Sequence, residues 1–182
     1  EVELIKDLPS VFDGFAEQRK NSFLTVREYK EKGIPIVGSY CTYFPKEIAM
    51  AAGAAPVSLC STSDETIQDA EKDLPKHLCP LIKSSYGFAK TQKCPYFYFS
   101  DVVVGETTCD GKKKMYELLG RLKPMHVIHL PNVPDTERSL LYWRMEIEAF
   151  KEKLEESFDL KISEEAIRRA IRRGNRERRL MA

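Results

Sequence analysis

The sequence contains no closely spaced pair of cysteines, although five cysteines occur among its 182 residues. All five lie in a 69-residue window and follow one another at intervals of 19, 19, 15 and 15 residues: Cys41, Cys60, Cys79, Cys94 and Cys109. The missing CxxC spacing argues against a zinc ribbon and against a thioredoxin-like redox site. Thiolates that come one at a time from separate segments suit a large inorganic cluster.

The sequence also lacks a large net charge, a long apolar run and a secretion signal. Its 29 Lys and Arg residues balance 28 Asp and Glu residues, which leaves a formal charge of +1 and no global attraction for nucleic acid or membranes. The apolar runs are too short to span a bilayer, and the first residues lack a signal-like pattern. We therefore expect a cytoplasmic protein whose thiols are metal ligands, reactive groups or buried apolar side chains instead of disulfides.

Alternating helix and strand patterns predict the fold. Amphipathic periodicity predicts a helix over 9–32 that ends at Gly33. Apolar runs predict strands over 34–40, 56–59, 97–104 and 126–130. Further helices are predicted over 46–52, from about Cys79 onward, over 111–122, over 135–157 and over 163–180. Apolar strands between helices indicate an open, mainly parallel α/β sheet with helices on both faces.

The same patterns divide the chain into three parts. We expect residues 1–33 to form an N-terminal helical segment, 34–134 to form an α/β domain that could bind such a cluster, and 135–182 to form a helical connection. The chain has no initiating Met and stops within a basic helical stretch, so we expect it to be part of a longer protein.

The predicted strand ends bring cysteines together. In parallel α/β sheets, ligands bind outside the carboxyl ends of the strands. Cys41, Cys60 and Cys109 each come soon after a predicted strand, which places three thiols along one edge. Cys79, at a predicted helix start, can face the same edge. Cys94 precedes its predicted strand and fits this arrangement less well.

Four separated motifs carry a family resemblance. They read GSYCTYFPKE over 38–47, AGAAPV over 52–57, LCPLIKSS over 78–85 and GETTCDGKKK over 105–114. In this order they resemble the 2-hydroxyacyl-CoA dehydratase and benzoyl-CoA reductase family (D-component) of iron–sulfur proteins. The closer resemblance is to its double-cubane cluster branch, and it covers about 34–130.

The resemblance implies a set of cluster ligands. Cys41, Cys79 and Cys109 match the three cysteines that hold one cubane of iron and sulfide in this family. Cys60 and Cys94 lie in segments that resemble the double-cubane branch, in which two cubanes share a bridging sulfide and need more thiolates. For these two residues the alternative is a small buried side chain beside an apolar strand.

The resemblance also implies partners and a reaction. A second, similar α/β domain is expected to follow the helical connection, and the protein is expected to be a homodimer. An ATP-hydrolysing iron–sulfur activator protein is expected to supply electrons, making the chain the cluster component of an ATP-dependent two-component reductase of a small molecule. The alternative is an (R)-2-hydroxyacyl-CoA dehydratase subunit that acts on an acyl-CoA.

Two other classes stay open on the residues alone. One is a structural metal protein, for example with zinc. The other is an interaction module that binds an acidic partner or nucleic acid through the arginine-rich end of the chain. A solvated helix is the simpler interpretation of these seven arginines: Arg168, Arg169, Arg172, Arg173, Arg176, Arg178 and Arg179.

Several charged residues near the cysteines have two interpretations. Lys83 and the run Lys112, Lys113 and Lys114 are expected on a solvated helix face, with tuning of a cluster as the alternative. Glu106 and Asp110 suit proton delivery or helix capping, and Asp110 before Gly111 is well suited to a cap.

Overall fold

A parallel four-stranded sheet organises residues 11–181, the part of the chain that the computed structural model describes. Its order is β2-β1-β3-β4, with β1 at Ile36–Ser39, β2 at Ala55–Ser58, β3 at Val102–Glu106 and β4 at Met125–Ile128. The first two residues of the helix predicted over 9–32 lie outside the described residues. The helices are α1 (Val11–Glu31), α2 (Lys46–Ala51), α3 (Ile67–Ala70), α4 (Pro80–Lys90), α5 (Pro95–Phe99), α6 (Asp110–Leu119), α7 (Glu137–Phe158) and α8 (Glu164–Met181).

Both faces of the sheet are covered, as an all-parallel sheet requires. Side chains of a strand alternate between faces, so Val102 and Val104 join one core cluster while Val103 joins the other. The first cluster contains Phe150 of α7, and the second contains Met115 of α6. The predicted open α/β fold with helices on both faces is confirmed.

Two glycines end helices as the sequence predicts. Gly33 after α1 and Gly53 after α2 have φ angles of +72° and +76°, a left-handed conformation that is costly for residues with a Cβ. The amide of Ala54 donates to the carbonyl of Ala49 at 3.0 Å, which satisfies a carbonyl at the end of α2. Each glycine thereby turns the chain into the next strand.

The strand predicted over 97–104 is wrong in its first half. Residues Pro95–Phe99 form α5, and the strand begins only at Val102. Cys94 is the N-cap of α5, where its Sγ accepts a hydrogen bond from the amide of Phe97 at 3.4 Å. Pro95 occupies the first helical turn, where its fixed φ and missing N–H are favourable. This local start signal outweighs the strand preference of the aromatic residues that follow.

The polar stretch 61–76, for which no element was predicted, contains the short helix α3. It packs beside α4 through Gly87, because a Cβ there would lie 2.3 Å from the carbonyl oxygen of Thr66. The buried Lys83 of α4 pairs with Glu71 just after α3 at 2.7 Å. Lys83 therefore forms a structural ion pair, and the predicted solvated face is wrong for this lysine.

Two long charged helices complete the described chain, close to their predicted bounds. Glu155 near the end of α7 accepts hydrogen bonds from Lys151 and from the amide of Ile162, and these lower the pKa of Glu155 to about 2. On α8, Arg168 and Arg169 pair with Glu164 and Glu165, four residues earlier. Within residues 11–181 no helix combines the length and apolar character that crossing a bilayer requires.

Gly38 in β1 provides a test of this packing. A Cβ there would lie 2.4 Å from Ser100 Oγ and 2.6 Å from Leu59 Cδ1. We expect Gly38→Ala to lower the free energy of unfolding by about 1–3 kcal/mol, because neighbours on both sides must shift. The control is Gly14→Ala in α1, where a Cβ meets nothing within 4 Å and helix propensity predicts a gain of roughly 0.5–1 kcal/mol. Urea unfolding measures both, and a Gly38→Ala protein as stable as the wild type would contradict this packing.

Candidate functional site

The strand order creates a crevice at the carboxyl edge of the sheet. From β1 the chain crosses to β2 on one side, whereas β3 and β4 lie on the other side. The point between β1 and β3 is therefore a topological switch point, where open α/β sheets bind their ligands. Cys41 follows β1 by two residues, Cys60 follows β2 by two, and Cys109 follows β3 by three. The predicted alignment of these three cysteines along one sheet edge agrees with the structure.

Cys41 lies at the switch point in an unusual backbone conformation. Its φ angle is +80°, which is uncommon for any residue other than glycine. Its Sγ lies 3.3 Å from Oγ1 of Thr108, on the loop that follows β3, so the two side chains span the crevice. Lys112 Nζ also donates a hydrogen bond to this Sγ. A positive φ angle at a residue with a side chain costs free energy, and such conformations concentrate at functional sites. The spacing of the cysteines in the sequence does not predict this conformation of Cys41.

The loop that carries Cys60 is attached to α4. The amide of Ser61 donates to Ser85 Oγ at 3.1 Å, and Ser84 Oγ donates to Ser61 Oγ at 2.9 Å. Both α4 serines are buried, so these bonds are shielded from water. Because α4 begins at Cys79, the same helix positions two of the candidate cysteines.

Three of the cysteines occupy N-cap positions of helices. Cys79 precedes α4, Cys94 precedes α5 and Cys109 precedes α6. The first amides of a helix have no partner within the helix, and its dipole favours an anion at this end. Pro80 and Pro95 have no N–H, and the Phe97 amide already donates to Cys94 Sγ, so the start of α6 offers the most free amide donors to an anionic group. The predicted capping by Asp110 is wrong: Asp110 is the first residue of α6 and pairs with Lys113 at 2.8 Å.

The starts of α4 and α6 lie against each other. A Cβ on Gly111 would be 2.8 Å from the Cδ1 atoms of both Leu78 and Ile82, which flank Cys79. Gly111 is two residues from Cys109. The missing side chain at this position therefore permits the approach of the Cys79 and Cys109 segments.

One ammonium group connects the thiols electrostatically. Burial disfavours the charged form of Lys112, but the hydrogen bond to Cys41 and the thiols of Cys41, Cys109 and Cys60 outweigh it and raise the pKa of Lys112. Lys112 is only partly exposed, so the predicted solvated face is wrong for this lysine. Lys113 and Lys114 agree with that prediction, since they pair with Asp110 and Glu117 on the exposed side of α6.

Tyr40 links the remaining thiol to this edge. The ring is almost fully buried at the end of β1, and burial raises the pKa of Tyr40 well above its ordinary value, with smaller contributions from the thiols of Cys94 and Cys60. Burial likewise raises the pKa of the Cys94 thiol. Cys94 therefore has a visible structural role as a half-buried cap, and its role as a ligand stays a prediction.

All five cysteines are free thiols. Among the described residues, no three His, Cys, Asp or Glu side chains lie close enough together to hold one metal ion. A cubane has iron at four separate corners, so its thiolates need not meet as closely as the ligands of a single ion. The thiol donors, the helix starts and the glycine contact between the Cys79 and Cys109 segments fit a cluster of this size.

A buried carboxylate lies behind the crevice. Glu106, the last residue of β3, is 0 % exposed, and neither oxygen has a hydrogen-bond partner of good geometry. Burial raises the pKa of Glu106, although the nearby amides of Tyr43, Phe44 and Thr42 and the charge of Lys112 oppose the increase. Glu106 does not cap a helix. Unpaired carboxylates are rarely retained in a core for stability, which marks this residue for a role at the adjacent Cys41 turn.

A groove extends from the crevice along the edge strand β2. Its volume is about 720 Å³, and Cys41 and Thr42 line it together with Lys46 and Arg173. Lys46 pairs with Glu177 of α8 at 2.7 Å, so α2 and α8 form the far wall. The groove is large enough for a small molecule beside Cys41.

Comparison with known proteins identifies the family of the chain. The profile of the family described as 2-hydroxyglutaryl-CoA dehydratase, D-component, matches residues 41–182. The chain belongs to this family, as its motifs predicted. The matched region begins at Cys41 and includes the other four cysteines.

A curated relative shows how the chain compares with a longer protein. The Escherichia coli (strain K12) protein named "Putative dehydratase subunit YjiM" is 61% identical to this chain over 181 residues. The alignment covers 100% of the chain but only 47% of that relative. The chain thus spans about half the length of the curated relative it matches.

Glu106 gives a pH-dependent prediction. Burial raises its pKa in the folded state above the unfolded value, so its contribution favours folding below the unfolded pKa and is lost as the pH rises through the folded pKa. We expect Glu106→Gln to raise the free energy of unfolding at pH 8 by about 1–2 kcal/mol, because it removes an ionised, unpaired buried group. The gain should shrink as the pH falls towards 4.

The matched control is Glu117→Gln, an exposed carboxylate on α6 whose pKa is lowered by Lys114. We expect it to give no gain at either pH. Urea unfolding at pH 8 and pH 4.5 measures the difference. A Glu106→Gln protein less stable than the wild type at pH 8 would show that the amides of the Cys41 turn already hold the ionised carboxylate.

Proposed function

We propose that this chain is the cluster-bearing part of a two-component enzyme that receives electrons from a separate ATP-hydrolysing activator protein. The observation that carries the proposal is the meeting of Cys41, Thr108 and Lys112 at the switch point, beside the strand ends that carry Cys60 and Cys109. Membership of the dehydratase D-component family supports it.

Cys41, Cys79 and Cys109 would hold one cubane, and Cys60 and Cys94 would supply further thiolates for a second. When bound, an iron–sulfur cluster supplies electron transfer at a potential set by charge, hydrogen bonding and solvent exposure. The chain contributes the surroundings: amides at the starts of α4 and α6, the ammonium of Lys112 and the turn at Cys41. These groups orient the thiolates and compensate their negative charge.

The thiol set favours reduction of a small molecule by a doubled cluster. Three thiolates suffice for one cubane with an open iron position, yet the chain offers two more, from Cys60 after β2 and from Cys94 at the start of α5. The small molecule would bind in the groove beside Cys41, whose charged lining consists of Lys46 and Arg173 with Glu177 between them.

The second candidate is dehydration of a 2-hydroxyacyl-CoA, which the description of the family and the name of the E. coli relative favour. One electron added to the thioester carbonyl would give a radical anion from which the 2-hydroxyl group leaves as hydroxide, and a proton lost from C3 would combine with the hydroxide to form water. The electron is then recovered, since dehydration is redox-neutral. A single cubane with one iron free of cysteine suits this reaction.

Iron and sulfide analysis of the protein purified without oxygen distinguishes the two candidates. About eight irons with matching sulfide indicate the doubled cluster, and about four indicate one cubane. We expect Cys41→Ser, Cys79→Ser and Cys109→Ser to lose most of the iron, because each removes a thiolate from the core ligand set. We expect Cys60→Ser to lose part of it.

The control is Thr62→Ser, an exposed neighbour of Cys60 that keeps every thiol. It should retain the wild-type iron content. If Cys60→Ser and Cys94→Ser also retain all iron, the extended ligand set is wrong and the single cubane is favoured. A wild-type protein that holds zinc without sulfide would overturn the proposal in favour of a structural metal site.

A further inference from the structure

Three consecutive lysines follow Cys109, and the structure separates their roles. Lys113 pairs with Asp110 at 2.8 Å and Lys114 pairs with Glu117 at 2.6 Å, and both side chains are more than half exposed. Successive helical residues point about 100° apart, so the three side chains cannot share one face. The neighbouring lysines are thus ordinary surface ion pairs, which contribute little to stability or to a site.

Lys112 faces the crevice instead of the solvent. It donates to Cys41 Sγ and, at 3.4 Å, to Thr108 Oγ1. Within the described part of the chain it forms no ion pair with a carboxylate, and the nearby buried Glu106 interacts with its charge without contacting it. A partly buried ammonium without a paired carboxylate is costly unless an anionic group at close range compensates it.

The thiol of Cys41 is the sulfur group that Lys112 contacts directly. Cys60 and Cys109 follow the ends of the two strands beside β1, so all three thiols come from the same edge of the sheet. Thiolates bound to a cluster carry negative charge that neutral thiols lack. The position of Lys112 therefore matches an anionic group at this edge better than it matches a set of neutral thiols.

We propose that Lys112 is the electrostatic positioning residue of the thiol site, which holds Cys41 in place and supplies the positive charge that favours reduction of the cluster. This inference rests on the proposed function. In the step concerned, one electron passes from the reduced iron–sulfur activator to the cluster, no bond forms or breaks, and the cluster becomes more negative by one charge. A fixed positive charge nearby stabilises the reduced state more than the oxidised state.

The test compares wild-type protein with Lys112→Gln, Lys112→Arg and Lys113→Gln, all purified without oxygen. Iron and sulfide are counted first, and the midpoint potential is then measured by redox titration followed by electron paramagnetic resonance. We expect Lys112→Gln to shift the midpoint to more negative potential. Lys112→Arg keeps the charge and should stay near the wild type, and Lys113→Gln removes a charge that faces solvent and should leave the potential unchanged.

The results of these measurements either support or contradict the proposed role of Lys112. A Lys112→Gln protein with full iron content and the wild-type potential would overturn the inference, as would an equal negative shift in Lys112→Arg. Loss of iron in Lys112→Gln alone would support it, because Lys112→Arg keeps the charge at this position and Lys113→Gln removes a charge only from the exposed side of α6. A wild-type protein without iron and sulfide would overturn the proposed function itself, and this is seen before any variant is compared.

Discussion

The parallel register of β1 with its two neighbours is the constraint on which the site depends. Ser39 pairs with Ser58 of β2 and with Val104 of β3, so the carboxyl ends of three strands lie side by side. The amide of Tyr40 continues the ladder with a 2.9 Å hydrogen bond to the carbonyl of Val104. Cysteines that are far apart in the sequence reach one edge because this register is fixed by buried side chains on both faces of the sheet.

The electrostatics of this edge come from backbone and side chain together. Cys79 and Cys109 are the N-cap residues of α4 and α6, so the unpaired amides at these helix starts lie beside the two thiols. Lys112 adds one localised charge, while the other lysines of its run are neutralised on the outside of α6. Glu106 has the opposite sign and lies behind the Cys41 turn, where its burial costs stability. Such a cost is typical of groups kept for function.

Much of this arrangement could be predicted from the sequence. Glycines after the helices and apolar runs in the strands predicted the sheet, because these signals are local and the fold class has few alternatives. The positions of the cysteines after the strands predicted the edge at which they lie. The start of α5 was missed because Cys94 and Pro95 form a cap that competes with an aromatic run. The roles of Lys112 and Glu106 could not be predicted from the motif GETTCDGKKK, because they depend on the direction of each side chain and on its burial in the folded protein.

The central claim is that thiols far apart in the sequence bind one iron–sulfur cluster at this edge of the sheet. Crystals of the protein grown without oxygen, measured on both sides of the iron absorption edge, test it most directly. The account predicts anomalous iron density at the switch point between β1 and β3, in contact with the sulfurs of Cys41, Cys79 and Cys109. Iron density bound elsewhere, or these three sulfurs pointing into unconnected regions, would contradict it.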